Sequence, residues 1–444
     1  MKIYKLGLIN LGCDKNRIDS EIVLSKLSKE YEITNNEIEA DIIIVNTCGF
    51  IDSSKEESIN AILQAAKYKD NNLKALVVTG CLSQRYKDDL LKEIPEIDVM
   101  LGVNDYDKLS GAIKRYISKK EKSVYVTYSD SVINTGNRIL TTSPKSAYLR
   151  IAEGCSNFCT YCIIPKIRGR YRSRDFDDII SEAENLARIG TRELILIAQD
   201  TSIYGTDLYG RKRIAELISR LSELDGIDWI RLLYSYPENI DEELLYQFKN
   251  NKKLLPYIDM PIQHINSRIL KLMGRKTSRQ GIIDVINKLR ETVPDMTIRT
   301  SLITGFPGES DEEFNQLMDF LKEYKLEKVG VFKYSREEDT PAFNFKDQIS
   351  ENVKEKRRKE LMQSQQIISR EINQKKYNKV YKVLVESYDG VYYKGRNPEM
   401  APEIDGSVFI KSDKRLEYGE FYSILITKSL NYDLIGVVTD EFSK

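Results

Sequence analysis

The positions of the six cysteines constrain this chain more than any other sequence feature. All six lie within the first 162 of 444 residues, and the remaining 282 residues contain none. Three are isolated and three share one short segment: Cys13, Cys48 and Cys81, then Cys155, Cys159 and Cys162. Six cysteines are too few for a disulfide scaffold of this length, so we expect reduced thiols that act as metal ligands or nucleophiles.

The charge balance and the apolar runs exclude several classes of protein. The 68 Lys and Arg residues balance 68 Asp and Glu residues, so the formal net charge is zero and a general polyanion-binding protein is excluded. The longest apolar runs, such as residues 41–45, are strand-sized, and residues 1–10 contain no small-residue cleavage site. We therefore expect a soluble cytoplasmic protein of about two to four domains.

The N-terminal region alternates strands with helices. Strands are predicted at 5–10, 41–46 and 74–79, and helices at 19–29, 53–69 and 83–92. This order favours a parallel sheet, in which ligands bind beyond the carboxyl ends of the strands. Each isolated cysteine follows such an end beside a glycine, so we expect three thiols on one rim. They suit zinc or an iron–sulfur cluster, unless they are ordinary small loop residues.

The second group of cysteines has the spacing Cys155-x3-Cys159-x2-Cys162. Structural zinc sites usually take four ligands, but no fourth cysteine lies nearby and the only histidine, His264, is more than 100 residues away. Three thiolates on one short loop can hold three irons of a cubane cluster and leave one iron open. A zinc site and a redox dithiol are the alternatives.

The middle of the chain repeats strand and helix in six units. Strands are predicted at 147–153, 193–200, 229–234, 257–264, 296–304 and 328–335, and helices at 175–189, 214–224, 241–250, 279–292 and 311–323. Six units are too few for a closed eight-stranded barrel and predict a partial one, with functional groups at the carboxyl ends of its strands. The compact cysteines follow the first strand and are expected at that mouth.

Several features of this region have both a functional and a structural interpretation. Residues 305–309 form either a functional loop or a tight turn, and His264 is either functional or a satisfied polar residue. The alternating cations are either a solvated basic loop or a rim that faces an anionic substrate group: Lys166, Arg168, Arg170, Arg172 and Arg174. The polar helix at 352–376 is predicted to be a linker.

The segment from Gly154 to Arg174, with Tyr161 before the last cysteine, resembles the radical S-adenosylmethionine enzymes. Together with the isolated cysteines, it makes essentially the whole chain similar to the methylthiotransferases. That resemblance implies two [4Fe-4S] clusters, one on each set of three cysteines. The compact cluster would reductively cleave S-adenosylmethionine, and the resulting 5′-deoxyadenosyl radical would take hydrogen from the substrate. The second cluster would take part in sulfur delivery.

The resemblance also implies an S-adenosylmethionine pocket at the barrel mouth. We assign no catalytic residue beyond the cysteine ligands of the clusters. For that pocket we select four residues: Tyr161, Gln199, Gln263 and Arg299.

The C-terminal region is rich in short strands with glycine turns. Strands are predicted at 380–387, 390–395, 407–410, 422–429 and 434–438, which favours a small all-β barrel. This region resembles a TRAM domain, which binds tRNA in related enzymes. Residues 377–444 contain nine Lys and Arg against eleven Asp and Glu, a net charge of −2. Because RNA binding depends on neutralising phosphates, a protein surface is the expected partner of this module.

Three segments, at 151–158, 259–264 and 331–342, resemble the RimO subgroup of the methylthiotransferases. Its members modify the β-carbon of an aspartate in the twelfth small-subunit ribosomal protein, which this resemblance implies as the partner, together with an external electron donor and a sulfur source. Asp14 departs from the proline that the family more often has there. The alternatives are methylthiolation of a tRNA adenosine and a zinc-stabilised ribosome-binding factor without catalysis.

The expected fold class is α/β, with four segments along the chain. They are an N-terminal parallel-sheet methylthiotransferase domain (1–118), a linker (119–140), a radical S-adenosylmethionine core built as a partial (β/α)6 barrel (141–372), and a small all-β TRAM barrel (373–444).

Overall fold

Two six-stranded parallel sheets, a closed barrel and a two-stranded antiparallel sheet make up the strands of the structure, a computed structural model that describes residues 3–439. Residues 1–2 and 440–444, at the ends of the predicted domains, lie outside the described residues. Within residues 3–439, no helix is both long enough and apolar enough to cross a membrane.

The N-terminal domain is a parallel sheet with strand order β2-β1-β3-β4-β5-β6. Its strands are β1 (Lys5–Asn10), β2 (Glu32–Ile33), β3 (Ile42–Thr47), β4 (Ala75–Gly80), β5 (Val99–Leu101) and β6 (Ser123–Tyr125). Its helices are α1 (Asp14–Leu27), α2 (Asp52–Ala66), α3 (Cys81–Arg85), α4 (Lys87–Glu93) and α5 (Leu109–Lys119). Strands β3 and β4 are wholly buried because helices cover both faces of the sheet.

Sequence patterns missed three of these strands, β2, β5 and β6. Each has only two or three residues, too few to show a hydrophobic period. Strand β6 lies within the predicted linker, so the first part of that segment belongs to the N-terminal sheet.

The central domain contains the second parallel sheet, with order β14-β13-β12-β11-β10-β7, and a two-stranded antiparallel sheet of β8 and β9. Its strands are β7 (Ser146–Arg150), β8 (Ala152–Glu153), β9 (Arg172–Ser173), β10 (Glu193–Ile197), β11 (Trp229–Leu232), β12 (Leu254–Asp259), β13 (Thr297–Thr304) and β14 (Lys328–Lys333). Its helices are α6 (Ile164–Arg168), α7 (Phe176–Arg188), α8 (Thr206–Tyr209), α9 (Ile214–Ser222), α10 (Glu242–Asn250), α11 (Ser267–Leu272), α12 (Arg279–Thr292), α13 (Asp311–Tyr324) and α14 (Glu351–Gln374). Strands β7 and β14 lie at the two edges of the sheet and do not pair with each other, so the barrel is open. The predicted partial barrel is therefore confirmed.

The C-terminal module is a closed barrel with order β15-β16-β17-β19-β18. Its strands are β15 (Val380–Tyr388), β16 (Tyr393–Arg396), β17 (Val408–Lys411), β18 (Phe421–Ser429) and β19 (Leu434–Val438). The predicted small all-β barrel is therefore confirmed, with strand ends within a few residues of those expected.

The two faces of the central sheet have different partners. In β10, Leu194 and Leu196 belong to the core beneath the surrounding helices, whereas Ile195 and Ile197 belong to a second core on the concave face. That second core also contains residues of α1 and of the C-terminal module, such as Ile22 and Leu384. Helix α1 and the C-terminal module therefore fill the inside of the partial barrel.

Helix α14 is part of this architecture and not a linker. Leu361 and Ile368 are buried in the main core, and Arg357 donates to the buried carboxylate of Glu309 at 2.6 Å. The prediction of a linker was wrong because the many charges of this helix hid a narrow apolar stripe.

One buried carboxylate joins the C-terminal barrel to the central sheet by ion pairs. Glu193, at the start of β10, accepts from Arg231 at 2.8 Å and from Arg396 of β16 at 2.6 Å. All three side chains are at most 3% exposed. Burial alone would raise the pKa of Glu193, but the Arg396 and Arg231 guanidinium groups outweigh it and lower this pKa to about 2.

We expect the Arg396→Met variant to be less stable by about 3–5 kcal/mol, because it removes the charge of one guanidinium group that compensates the buried Glu193 carboxylate. The midpoint of urea unfolding, followed by fluorescence, measures the change. Lys394→Met removes an exposed cation from the same strand and serves as the control. Equal midpoints for the two variants would contradict the anchoring role of Arg396.

Candidate functional site

A cavity of about 360 Å³ lies at the carboxyl ends of the central strands. Its wall includes the compact cysteines and three of the residues selected from the sequence: Cys155, Cys159 and Cys162, with Tyr161, Gln199 and Gln263. Phe50 and Ile51 of the N-terminal domain and the segment after β14 complete the wall. The cavity is therefore shared by the two α/β domains.

The compact cysteines lie in the loop between β8 and α6. Gly154 precedes them at φ +78°, and a Cβ atom there would lie 2.1 Å from the Arg170 carbonyl oxygen, so only glycine fits. The Cys155 amide donates to the Gly169 carbonyl at 3.1 Å, which folds the loop back onto the chain leading into β9.

Burial makes ionisation of these thiols unfavourable unless a cation is present. Burial raises the pKa of Cys155 to about 11 and also raises the pKa of Cys162, and in both cases neighbouring thiols add to the effect. Iron would compensate the thiolate charge, so the donor set fits an iron–sulfur cluster. Within residues 3–439, no group of three or more His, Cys, Asp or Glu side chains is already arranged around a metal position. The prediction of iron at this position therefore rests on the chemistry of the three thiols and on their place in the wall of the shared cavity.

The isolated cysteines follow three neighbouring strands, β1, β3 and β4. A Cβ atom on Gly12, beside Cys13, would lie 3.2 Å from the Cys48 sulfur, so the loops after β1 and β3 touch. The Cys81 sulfur lies 3.7 Å from the Asn16 Oδ1 atom, and the Asn16 amide donates to both of the other loops at 2.9 Å. The three thiols thus lie on one rim, while their role as metal ligands stays a prediction.

These thiols also differ in exposure. Cys13 is exposed, whereas Cys48 and Cys81 are buried. Burial raises the pKa of Cys81 to about 12, although the Arg168 guanidinium lies close enough to lower it. As for the compact cysteines, a bound cation would displace the thiol protons and compensate the thiolate charge.

A buried ionic network connects this rim to the compact cysteine loop. Arg168 donates to Asn16 Oδ1 at 2.6 Å and to Glu153 at 3.0 Å, and it lies 3.0 Å from Asp19. Arg150 donates to Asp19 at 2.7 Å and to Glu153 at 2.9 Å. Burial alone would raise the pKa of Glu153, but Arg168 and Arg150 outweigh it and lower this pKa to about 2. The network therefore holds the two domains in one relative position.

Three of the five alternating cations that follow the compact cysteines are buried and hydrogen-bonded within the protein. Arg168, Arg172 and Arg174 are buried, Arg172 donates to backbone carbonyls, and Arg174 donates to a carboxylate of α7 at 2.6 Å. Lys166 and Arg170 are exposed and line an adjoining opening of about 750 Å³. Neither predicted interpretation, a solvated loop or a continuous cationic rim, was right for the three buried arginines, because carboxylates and carbonyl oxygens of the protein itself face them.

Two glutamines line the cavity in constrained positions. The Gln199 amide nitrogen donates to Glu153 at 2.7 Å, and its buried oxygen has no hydrogen-bond partner among the described residues. Gln263 has φ +69°, and its backbone bridges Ser301 and Ile303 of β13. A left-handed conformation in a non-glycine residue is rare, and here β13 fixes it.

Arg299 and His264 do not belong to the cavity wall. Arg299 does not line the cavity; its guanidinium donates to Asp259 at 2.6 Å and lies 3.9 Å from Asp405 of the C-terminal module. His264 is fully buried, its Nδ1 atom accepts from the Asn266 amide at 2.9 Å, and burial lowers its pKa to about 3. It is therefore a neutral imidazole outside the cavity wall.

Sequence reasoning did not select six aromatic residues of the wall, which are Phe50, Phe158, Phe332 and Tyr334 together with the pair Tyr234 and Tyr236. The two tyrosines follow the end of β11, and this position was the available signal for them. Phe50 comes from the other domain, where no pattern indicates a contact with the barrel mouth.

Three family profiles match the chain. The Radical SAM superfamily matches residues 149–321, the Uncharacterized protein family UPF0004 matches residues 5–102, and the TRAM domain matches residues 379–439. Together they cover the three structural domains.

Curated relatives match over the full length. "Ribosomal protein uS12 methylthiotransferase RimO" of Clostridium botulinum (strain Eklund 17B / Type B) is 59% identical over 446 residues, which cover 100% of both chains. The protein of the same name from Clostridium tetani is 58% identical over 444 residues, again with 100% of both chains covered.

Solved structures share the fold at low sequence identity. The radical S-adenosylmethionine methyltransferase TsrM from Kitasatospora setae aligns with a TM-score of 0.55 at 13% identity, over 87% of this chain and 79% of that one. The cobalamin-dependent S-adenosylmethionine radical enzyme OxsB aligns with a TM-score of 0.52 at 13% identity, over 83% and 56% of the two chains. These likenesses concern the fold alone.

The lowered pKa of Glu153 predicts an acid-sensitive domain contact. A carboxyl group whose pKa falls to about 2 on folding contributes stability that is present above its unfolded value near 4.5 and lost as the pH falls toward 2. We expect Glu153→Gln to be less stable than the unsubstituted chain at pH 7 and to lose less stability between about pH 5 and pH 3, by up to about 2 kcal/mol. Urea unfolding midpoints across this range measure it. Exposed Glu184→Gln, the matched control, should keep the pH profile of the unsubstituted chain; a Glu153→Gln profile that also matched it would contradict the prediction.

Proposed function

This chain belongs to the RimO family of radical S-adenosylmethionine methylthiotransferases, and we propose that it inserts a methylthio group at the β-carbon of an aspartate in the small-subunit ribosomal protein uS12. The observation that carries the proposal is 59% identity, over the whole length of both chains, to a relative of that name. The match includes the C-terminal barrel, whose region has a net charge of −2 and is poorly suited to neutralise RNA phosphates.

The Radical SAM match implies a [4Fe-4S] cluster and S-adenosylmethionine for this family. We propose that Cys155, Cys159 and Cys162 hold that cluster and that the isolated cysteines hold a second one, on Cys13, Cys48 and Cys81. Once bound, the first cluster supplies the electron that cleaves S-adenosylmethionine, and the second accompanies sulfur delivery. Both thiol sets are attached to the Arg168–Glu153 network, which supports a fixed separation between them.

Tyr161, Gln199 and Gln263 are proposed contacts for S-adenosylmethionine because they share the cavity wall with the compact cysteines. The unpaired Gln199 oxygen can accept a hydrogen bond from a bound ligand, while its amide stays fixed on Glu153. Arg299 was selected for this pocket from the sequence alone. In the structure Asp259 holds its guanidinium away from the wall, so its contact with S-adenosylmethionine stays a prediction.

The other residues of the wall exclude water and admit the substrate. Phe50, Tyr234, Tyr236 and Phe332 give the cavity an aromatic lining, which protects a reactive radical from solvent. Exposed Lys166 and Arg170 on the adjoining opening can attract the acidic target residue. A ribosomal protein substrate places the reaction in the cytoplasm, with the electron and the sulfur supplied from outside the chain.

The two cysteine sets can be separated by substitution. After anaerobic reconstitution we expect about eight irons per chain in the unsubstituted protein and about four in the Cys155/Cys159/Cys162→Ala variant, which should no longer cleave S-adenosylmethionine. The matched Cys13/Cys48/Cys81→Ala variant should also hold about four irons but still produce 5′-deoxyadenosine. Iron analysis and chromatography of the nucleoside provide the measurements, and cleavage that survives in the first variant would contradict the assignment of roles.

The choice of substrate is tested by incubating the reduced enzyme separately with uS12 and with unmodified tRNA. Mass spectrometry of the digested products should show a methylthio group on one aspartate of uS12 and none on adenosine. Methylthiolated adenosine would overturn the proposed substrate and keep the chemistry. Zinc in place of iron, with no product from either substrate, would overturn the enzyme assignment.

A further inference from the structure

A second groove, of about 600 Å³, lies on the N-terminal domain between α2 and α4. Buried Leu82, Leu90 and Ile94 line it, while Ile59 and Leu63 of α2 are 37% and 43% exposed beside them. The two α2 side chains are four residues apart and therefore share one helix face. The groove thus presents apolar surface to solvent.

Carboxylates surround this apolar surface. Five acidic residues line the groove against one lysine, Lys55: Asp52, Glu56, Asp89, Glu93 and Glu338. Lys55 is already paired with Asp52 at 2.6 Å and with Glu337 at 3.0 Å. Exposed Glu56 and Asp89 have no ion-pair partner among the described residues, so the groove has a net negative potential.

The groove adjoins the cavity of the candidate site at two points along the chain. Ile51 lines the cavity and the next residue, Asp52, lines the groove; likewise Glu337 lines the cavity and Glu338 lines the groove. Buried Glu337 also accepts from Arg85 at 2.7 Å, which fixes this boundary between the domains. A segment bound in the groove would therefore lie next to the cavity.

We propose that this acid-rimmed groove binds a basic segment of the protein substrate and thereby delivers the neighbouring target aspartate to the cavity. The inference rests on the proposed function, because the charge of the occupant follows from a ribosomal protein substrate. A protein that binds ribosomal RNA carries Lys and Arg to neutralise phosphates, so its surface complements the carboxylates of Glu56, Asp89, Glu93 and Glu338. An RNA substrate would be repelled by the same groups. An apolar side chain of the bound segment would cover Ile59 and Leu63.

Binding energy gained in the groove would position a residue that reacts elsewhere. The target aspartate is itself acidic and gains nothing from the carboxylates, so its basic neighbours must supply the attraction. Contacts remote from the reacting atom align the substrate and raise its effective concentration at the cavity.

Charge reversal on the two helices tests this. The Glu56→Lys/Asp89→Lys variant changes the groove, whereas Glu57→Lys/Asp88→Lys makes the same charge change at exposed positions of the same helices that do not line it. The Kd for fluorescently labelled uS12 is measured by anisotropy with the full-length enzyme at about 0.05 M and about 0.15 M salt. Circular dichroism confirms that each variant is folded.

We expect the groove variant to weaken binding by about tenfold or more at low salt and by less at the higher salt, while the control changes Kd by about twofold or less. Ile59→Ser/Leu63→Ser should weaken binding by about tenfold at both salt concentrations. Substrate-free cleavage of S-adenosylmethionine should be unchanged in all three variants.

Equal Kd values for the groove and control variants would overturn the inference while leaving the proposed function intact, provided the unsubstituted enzyme modifies uS12. If the unsubstituted enzyme neither binds nor modifies uS12, the proposed function fails and the inference fails with it. If the charge-reversed variant bound tRNA more tightly without losing uS12 binding, the inference about the groove would likewise be overturned.

Discussion

The contact on which the rest of the structure depends is the buried cluster of Arg168, Arg150, Glu153 and Asp19. Removing four charged groups from water is costly, and the cost is offset only when each charge is well paired. Asp19 lies on α1 of the N-terminal domain, whereas the other three side chains belong to the central domain. The cluster is satisfied only when the two domains meet in one orientation, so it specifies their arrangement as well as stabilising it.

This arrangement connects two sets of thiols that are far apart in the sequence. Glu153 directly precedes Gly154 and Cys155, and Asn16 joins Arg168 to the loops of the isolated cysteines. Each set therefore takes its position from the same few polar side chains. The cavity wall, with Phe50 from one domain and Cys155 from the other, exists only because the cluster brings them together.

Much of this could be predicted from the sequence because the relevant rules are local. The spacing of Cys155, Cys159 and Cys162 needs no tertiary information, and strand periodicity placed Cys13, Cys48 and Cys81 at the ends of parallel strands. The partners of Arg168 and Arg174 could not be predicted, since alternating cations look the same whether water or buried carboxylates face them. The packing of α14 was missed for a similar reason: Leu361 and Ile368 are sparse among charges that predict solvent.

The C-terminal barrel is attached through Glu193, Arg231 and Arg396 near the amino-terminal ends of the central strands, and within residues 3–439 no side chain after Glu337 lines the cavity. Its surface can therefore change during evolution without altering the chemistry of the thiols. Substitutions on the surface of this module can therefore change its contacts with a partner while the reactive centre stays the same. The acidic balance of the barrel region is thus separated from the reacting atoms by the length of the strands.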